Sequence, residues 1–139
     1  MSRDAVISVC SIQNNDEKER IEIVSPGFFF KENDEFVATY QETELSGLGD
    51  TLTTLRIGKN YFNMIRTGDI NTTMEFKNGR RASILYNTPH GGLCIKMKTN
   101  KIKVDIDENG GKVNVDYDVI VAKNEIINTK LEATIRVKE

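Results

Sequence analysis

The sequence contains few of the residues that build disulfide frameworks or metal centres. It has two cysteines, Cys10 and Cys94, a single histidine, His90, and no tryptophan. Because neither cysteine lies in a CxxC pair, the two do not make a disulfide framework. One histidine four residues from one cysteine also supplies too few ligands for zinc. The sequence therefore predicts neither a metal ion nor any other cofactor.

Catalytic motifs and long apolar segments are absent as well. No P-loop, GxGxxG, GxSxG or HExxH pattern occurs. The apolar runs cover only a few residues, whereas a spanning helix needs roughly 20, and Met1–Gln13 shows no secretory signal. We therefore expect a cytoplasmic protein that does not enter the membrane. The missing motifs favour a binding or interaction role over an enzymatic one.

Length and charge describe one ordinary globular domain. The chain has 139 residues, of which 38 % are hydrophobic and 29 % charged, enough to bury a substantial core. Its 19 basic and 21 acidic residues give a net charge of -2, so nucleic acid is not an expected partner. We predict a single domain over residues 1–139. A small-molecule ligand and a second copy of the chain are the partners that stay open.

Apolar and polar side chains alternate with period two along almost the whole chain. This alternation predicts about nine to eleven short strands. Asn78-Gly79 is the strongest hairpin signal, and Ser25-Pro26-Gly27 is expected to end a strand. One face of a later strand carries Leu93, Ile95, Met97 and Thr99, and one face of the stretch that follows carries Ile102, Val104 and Ile106.

Tight turns between sequential strands favour an antiparallel up-and-down order. Closing such a sheet on itself removes the exposed edges that invite aggregation. The fold predicted from the residues is therefore all-β, a closed antiparallel up-and-down β-barrel. The interior of such a barrel is either filled by side chains or holds one small ligand.

Several blocks of the sequence resemble a known family. The blocks are YQETELSGLGDTLTTLRI (Tyr40–Ile57), IRTG (Ile65–Gly68), YNTPHGGL (Tyr86–Leu93), KTN (Lys98–Asn100) and the Gly110-Gly111 turn before VNVDYDV. In their order and spacing they resemble the DUF1934 family of small bacterial proteins, from about Ala5 to Val137. The resemblance implies a lipocalin-like, or calycin-like, barrel in a cytoplasmic bacterial protein. Since the family has no established activity, the resemblance implies the fold and leaves the function open.

The stretch Asn60–Gly68 places an arginine in line with two large apolar side chains. Arg66 has the same parity as Phe62 and Met64, so all three point to one face of a strand. A buried guanidinium needs an acceptor, because an isolated buried charge is very costly. If that face is the core, Arg66 therefore points into the barrel interior and has an acceptor there; the alternative is that the twist of the strand brings Arg66 to solvent.

The candidate ligand-binding residues are those expected to meet Arg66. Tyr40, Glu42 and Glu44 continue a face that begins apolar, so they are expected near Arg66 in the lumen or at its mouth. One interpretation is an arginine–carboxylate fork that serves only as a structural ion pair. The other makes Arg66 the anchor for a bound anion, with the hydroxyl groups of Tyr40 and Tyr86 as further donors.

His90 completes the candidate set from the glycine-rich loop Thr88–Gly92. An unperturbed imidazole pKa of about 6.5 suits a general base, but no nucleophile is paired with it in the sequence. A turn that needs glycine is the simpler interpretation of the loop. A hydrolase that uses Glu42, Glu44 and His90 is therefore the third hypothesis for function.

Two other hypotheses rank above it. The leading one is a non-catalytic barrel that binds a small anionic or amphipathic ligand near Arg66, in an interior cavity of roughly a few hundred Å³. The alternative is a protein- or RNA-interaction module with a filled core and an exposed apolar or basic patch. The lysines and arginines of Arg80–Lys103 have aspartates close by in sequence, which favours a solvated mixed-charge face. We interpret Thr51, Thr53 and Thr54 as strand formers rather than as lumen-lining residues.

Overall fold

A computed structural model describes residues 2–14, 20–42, 49–88, 91–121 and 125–138, with the side chains of all of these except residues 84–88, 93 and 121. The described chain forms ten strands. They are β1 (Arg3–Asn14), β2 (Arg20–Glu32), β3 (Glu35–Gln41), β4 (Thr51–Ile57), β5 (Tyr61–Gly68), β6 (Thr72–Lys77), β7 (Arg81–Thr88), β8 (Gly91–Asp107), β9 (Gly110–Val121) and β10 (Glu125–Val137). Among these residues, no helix is long and apolar enough to cross a membrane.

All ten strands belong to one antiparallel sheet with the order β6-β5-β4-β3-β2-β1-β10-β9-β8-β7. Neighbours in this order are sequential strands, except that the first strand pairs with the last, from Ala5 opposite Val137 to Asn14 opposite Asn128. The β1–β10 pairing brings the two ends of the chain together and curls the sheet into a nearly closed barrel. The predicted all-β, antiparallel up-and-down barrel is confirmed.

The barrel has one seam, the space between β6 and β7, where no ladder of backbone hydrogen bonds joins the two described strands. The predicted hairpin at Asn78-Gly79 is therefore wrong in one respect. Its tight turn forms, with Arg80 N donating to Lys77 O at 2.9 Å, but the flanking strands do not pair. Gly79 N instead donates to Thr99 O, and Thr99 N donates to Arg80 O, both at 2.9 Å. These bonds tie the turn to β8, so the seam is held together at this end.

The centre of the barrel is a packed aromatic and aliphatic core. Phe62, Met64, Phe76 and Met97 are all at most 2 % exposed. The ring of Phe76 stacks on Phe62 at 5.7 Å between centroids and tilts against Tyr117 at 4.9 Å, geometries that aromatic pairs favour. The interior at this level is filled, so the predicted cavity does not run through the middle of the barrel.

A single strand, β8, replaces the two separate stretches that the alternation indicated. Met97 and Thr99 face the core at odd positions, and Ile102 and Val104 pack against it at even positions. The register with β9 slips between Thr99 and Lys101. One extra residue in a strand is a β-bulge, which turns the following side chains to the other face. The bulge therefore explains the change of phase.

The expected turn at Ser25-Pro26-Gly27 does not form, because β2 continues through it. Pro26 pairs with Val6 of β1, but pairing with β3 begins only at Gly27. Pro26 therefore lies beside the last paired residue, where a missing N–H does little damage to the sheet. At Gly27 an added Cβ would lie 2.3 Å from the carbonyl oxygen of Thr39. Here glycine permits a close approach of two strands rather than a turn.

Candidate functional site

Four polar side chains form a row across the inner face of strands β3 to β6. Tyr40 lies opposite Thr53, Thr53 opposite Arg66, and Arg66 opposite Thr72. Directly opposed residues in antiparallel strands have Cβ atoms about 5 Å apart. The ladder alone therefore brings a phenol, a guanidinium and two hydroxyl groups together on the interior of the barrel.

Arg66 occupies this row as the sequence predicted, on the face of the buried residues Phe62 and Met64. The arginine is half-buried, and its Nε atom is buried with no hydrogen-bond partner. The Thr72 Oγ1 atom opposite is in the same condition. A donor and a hydroxyl without partners thus lie on neighbouring strands, where an unmet polar group costs roughly 1–3 kcal/mol.

A carboxylate stands at the other end of the row. Glu42 is 6 % exposed, and its Oε2 accepts a hydrogen bond of 2.7 Å from Thr53 Oγ1. Burial raises the pKa of the Tyr40 hydroxyl, and the negative charge of Glu42 raises it further, while the positive charge of Arg66 acts in the opposite direction. Tyr40 therefore stays protonated and neutral between one anion and one cation.

A cavity of about 380 Å³ opens beside Arg66 and Thr72 at the seam. Its walls come from β5, β6, the turn between them, and β7 across the seam. Besides Arg66 and Thr72, the lining includes Thr67, Asn71, Thr73 and Ser83. Most residues that line this seam cavity are polar, Ile65 is its apolar member, and the cavity is open to solvent on one side of the barrel. The space beside Arg66 is therefore an open cleft on the side of the barrel and not the interior cavity that was predicted there.

The turn between β5 and β6 sets the positions of Arg66 and Thr72. Asn71 brackets Gly68, accepting a hydrogen bond from its N–H at 3.2 Å and donating one to its carbonyl oxygen at 2.7 Å. On the inner side, Ile70 N donates to Thr51 Oγ1 at 3.1 Å. These contacts fix the approach of β6 to β5, so both polar side chains project at one level.

The structure brings together three of the six predicted site residues: Tyr40, Glu42 and Arg66. No salt bridge joins Arg66 to Glu42, whose carboxylate is hydrogen-bonded to Thr53 instead. Glu44 and His90 lie outside the described residues. Tyr86 is opposite Leu93 in the β7–β8 ladder, and its side chain is not among those described.

Sequence reasoning missed the buried threonines on the inner face of the barrel. Thr51 and Thr53 are fully buried, contrary to the interpretation that they serve only as strand formers. The alternation could have indicated their burial, because both residues lie on the same face of the strand as the core residues Leu55 and Ile57. Thr72 likewise alternates in phase with Phe76. Polar residues at positions of core parity were therefore the available indication of a polar interior.

The fold and the site together define a small antiparallel β-barrel protein with a packed centre and a polar group of side chains on its inner wall. The chain belongs to the family described as "Domain of unknown function (DUF1934)", whose model matches residues 7–132. The family resemblance seen in the sequence blocks is confirmed.

Two comparisons place a relative from Bacillus subtilis (strain 168) next to this chain. The chain is 27 % identical over 111 residues to the "Uncharacterized beta-barrel protein YwiB", covering 79 % of this chain and 76 % of YwiB. It also superposes on the structure described as "Crystal structure of ywiB protein from Bacillus subtilis" with a TM-score of 0.88 and 22 % identity, covering 99 % of this chain and 94 % of that one. These similarities support the barrel fold.

Proposed function

We propose that this protein binds a small oxyanion, a carboxylate or phosphate group of a small molecule, in the seam cavity with Arg66 as the anchor. The observation that carries the proposal is that Arg66 Nε and Thr72 Oγ1 are both buried without a hydrogen-bond partner and that both residues line this cavity. A single oxyanion accepts from both groups and relieves both unmet donors.

An oxyanion is the ligand chemistry that fits an arginine best. The guanidinium presents its Nε–H and one Nη–H side by side, which matches the two oxygens of a carboxylate or phosphate. Hydrogen bonds with a charged partner are roughly twice as strong as neutral ones. A cation is disfavoured, because it would meet the guanidinium without an intervening acceptor.

Glu42 and Tyr40 limit the place where the anion can lie. The carboxylate of Glu42 is on the Tyr40 side of the row, where it would repel a second negative charge. The seam cavity is on the Thr72 side, away from that carboxylate in the order of the strands. We therefore assign the anion to the space between Arg66 and Thr72, with Glu42 and Thr53 as positioning residues and Tyr40 as a neutral neighbour.

Binding requires a small movement at the seam. The Nε atom itself has almost no exposed surface although Arg66 lines the cavity. A change of the Arg66 or Thr72 rotamer, or a slight widening of the β6–β7 seam, would bring the donor to the ligand. The absence of a backbone ladder at the seam makes this the least constrained boundary between two described neighbouring strands.

Isothermal titration with sodium acetate, phosphate and benzoate, at an ionic strength held constant with sodium chloride, tests the proposal. We expect saturable binding of at least one of these anions to the native protein, and a loss of about tenfold or more in affinity for Arg66→Gln because a charge-assisted fork is lost. Arg66→Lys keeps the charge without the fork and should restore only part of the affinity.

Arg56→Gln is the matched control for this experiment. Arg56 is on the adjacent strand β4 and pairs with Glu35 at 3.3 Å, away from the row that contains Arg66. It removes the same charge, so its anion affinity should stay at the native value. Equal binding by the native protein and Arg66→Gln, or no saturable binding of any of the three anions, contradicts the proposal.

A surface for protein interaction is the second candidate function. Val24, Pro26 and Phe28 project from the outer face of β2, with Val24 59 % and Phe28 51 % exposed. Consecutive outward apolar residues on one strand are unusual for a wet sheet face. If none of the anions binds, this stripe is the surface to test for self-association.

A lipocalin-type relationship and a cytoplasmic location stay predictions from the sequence.

A further inference from the structure

The outer surface of the barrel carries a second cavity, on the side of the sheet opposite the core. It has a volume of about 480 Å³ and crosses β8, β9, β10, β1 and β2. Cys10 and Ile12 of β1 lie in it, with Cys10 half-buried and Ile12 40 % exposed. We call it the outer groove. Nothing in the oxyanion proposal involves it.

The strand register arranges three lysines around this groove. Lys101 lies opposite Asp116, Asp116 opposite Lys130, and Lys130 opposite Ile12. In the neighbouring row, Lys103 lies opposite Asn114. All three lysines are exposed and line the groove, so their ammonium groups surround a partly apolar depression.

Two of the three acidic residues of the groove form salt bridges, and the third, Asp116, accepts hydrogen bonds from neutral amides. Glu22 pairs with Arg20 at 3.2 Å, and Glu132 pairs with Lys112 at 3.5 Å. Asp116 accepts from Asn128 at 2.7 Å. By contrast, no salt bridge involves Lys101, Lys103 or Lys130 within the part of the chain that the structure describes. These three lysines are therefore available to a ligand, although Lys101 and Lys130 share the Asp116 carboxylate that lies between them in the strand register.

We propose that the outer groove binds a small organic anion that has an apolar body, with Lys101, Lys103 and Lys130 holding the anionic group and Ile12 and Cys10 contacting the body. The volume suits one molecule of moderate size. A long polyanion fits less well, because the carboxylates of Glu22, Asp116 and Glu132 would interrupt a continuous run of phosphates. The charge pattern thus favours one compact anion.

The probe for this site is 8-anilinonaphthalene-1-sulfonate, an anion with an apolar aromatic body and its own fluorescence. The double variant Lys101→Gln/Lys103→Gln should raise its apparent Kd about fivefold, since two exposed charge contacts are lost. Lys96→Gln/Lys98→Gln is the matched control, with the same strand and the same change of net charge but no residue in the groove. Unchanged thermal unfolding of both variants shows that each is folded.

Cys10 reports whether the probe occupies the groove. In Cys94→Ser, Cys10 is the remaining thiol, so its alkylation by iodoacetamide can be followed alone. We expect the sulfonate probe to slow this alkylation in proportion to its occupancy, and a single-stranded RNA oligonucleotide of the same concentration to leave the rate unchanged. An equal loss of probe affinity in both lysine double variants, or unaltered Cys10 alkylation at saturation, overturns the proposal. Protection by the RNA alone overturns it as well, in favour of a nucleic-acid surface.

Discussion

Arg66 and Thr72 differ from the other buried polar residues in what lies next to them. Ser25, Thr99 and Thr129 also have a buried hydroxyl without a hydrogen-bond partner. None of these three lines the seam cavity, whereas Arg66 and Thr72 both do. A buried hydroxyl without a hydrogen-bond partner lowers the stability of the fold. When it lies beside an open cavity and a guanidinium, it can form its hydrogen bond with a ligand.

Thr72→Val tests whether the Thr72 hydroxyl only lowers the stability of the fold or also binds the ligand. Valine keeps the shape and removes a hydroxyl that has no partner, so the free energy of unfolding in urea should rise by about 1 kcal/mol. The affinity for the bound oxyanion should fall by about tenfold, because a hydrogen bond to a charged group is lost. Thr99→Val is the control and should give a similar gain in stability with native affinity. Native affinity in Thr72→Val would contradict the role of Thr72 in binding.

The Tyr40 hydroxyl makes a second prediction, on the pH dependence of stability. Its pKa is raised in the folded protein, mainly by burial, while in the unfolded chain it is about 10. Above pH 10 the unfolded state therefore loses a proton that the folded state keeps. The contribution of this group to the free energy of unfolding is full below pH 10 and declines as the pH rises. The decline should reach about 1.4 kcal/mol per pH unit for this one group.

Urea unfolding between about pH 9 and pH 11 measures this effect. Tyr40→Phe should make the free energy of unfolding fall less steeply with pH in this range, by the equivalent of one proton. Tyr61→Phe should change the slope less, since Tyr61 is only half-buried and its pKa is raised mainly by a hydrogen bond with Glu35. The interpretation of Tyr40 as a neutral buried phenol is wrong if the slope of Tyr40→Phe equals that of the native protein.

At the level of strands, side-chain parity predicted most of the fold, and its failures have identifiable causes. Period two located the strands and put Arg66 on the core face, because parity is a local property of the backbone. The turn expected at Pro26 and Gly27 is absent, because the two residues are placed by contacts with β1 and β3 that are remote in sequence. The phase change in β8 is a bulge that only its ladder with β9 reveals.

Gly27→Ala tests the interpretation of Gly27 as a point of close approach between strands. The new Cβ would lie 2.3 Å from Thr39 O and 2.7 Å from Ile7 Cδ1, so the two strands must move apart. We expect a loss of about 2–3 kcal/mol in the free energy of unfolding. Gly79→Ala is the comparison, with a φ of 75° but no atom within 4 Å of the new Cβ, and should cost about 1 kcal/mol. A smaller loss at Gly27 than at Gly79 would contradict this interpretation.

On the scale of the whole molecule, the barrel combines a filled centre with a seam between β6 and β7 that has no ladder of backbone hydrogen bonds. The packed rings of Phe62, Phe76 and Tyr117 leave little space at mid-height. The seam between β6 and β7 provides access from the side instead. The sequence could not predict the seam, because the Asn78-Gly79 turn is compatible with paired or separated strands. The choice depends on its hydrogen bonds with β8.

The predictable part of the site depends on single strands, and the unpredictable part depends on how neighbouring strands align. Arg66, Tyr40 and Glu42 could be inferred because each continues an apolar face of its own strand. The partnership of Arg66 with Thr72 instead of with a carboxylate depends on the lateral register of β5 and β6. That register is fixed by the turn at Gly68 and Asn71, whose hydrogen bonds have no signature in the alternation.

The most direct test of the central proposal is the NMR signal of the Arg66 Nε–Hε group. It can be assigned by its absence from the spectrum of Arg66→Lys, and followed while sodium benzoate is added at constant ionic strength. We predict a saturable shift of this signal, larger than that of any other arginine, because the anion accepts a hydrogen bond from this donor. An Arg66 signal that stays in place at benzoate concentrations that saturate the protein would contradict anion binding at the seam.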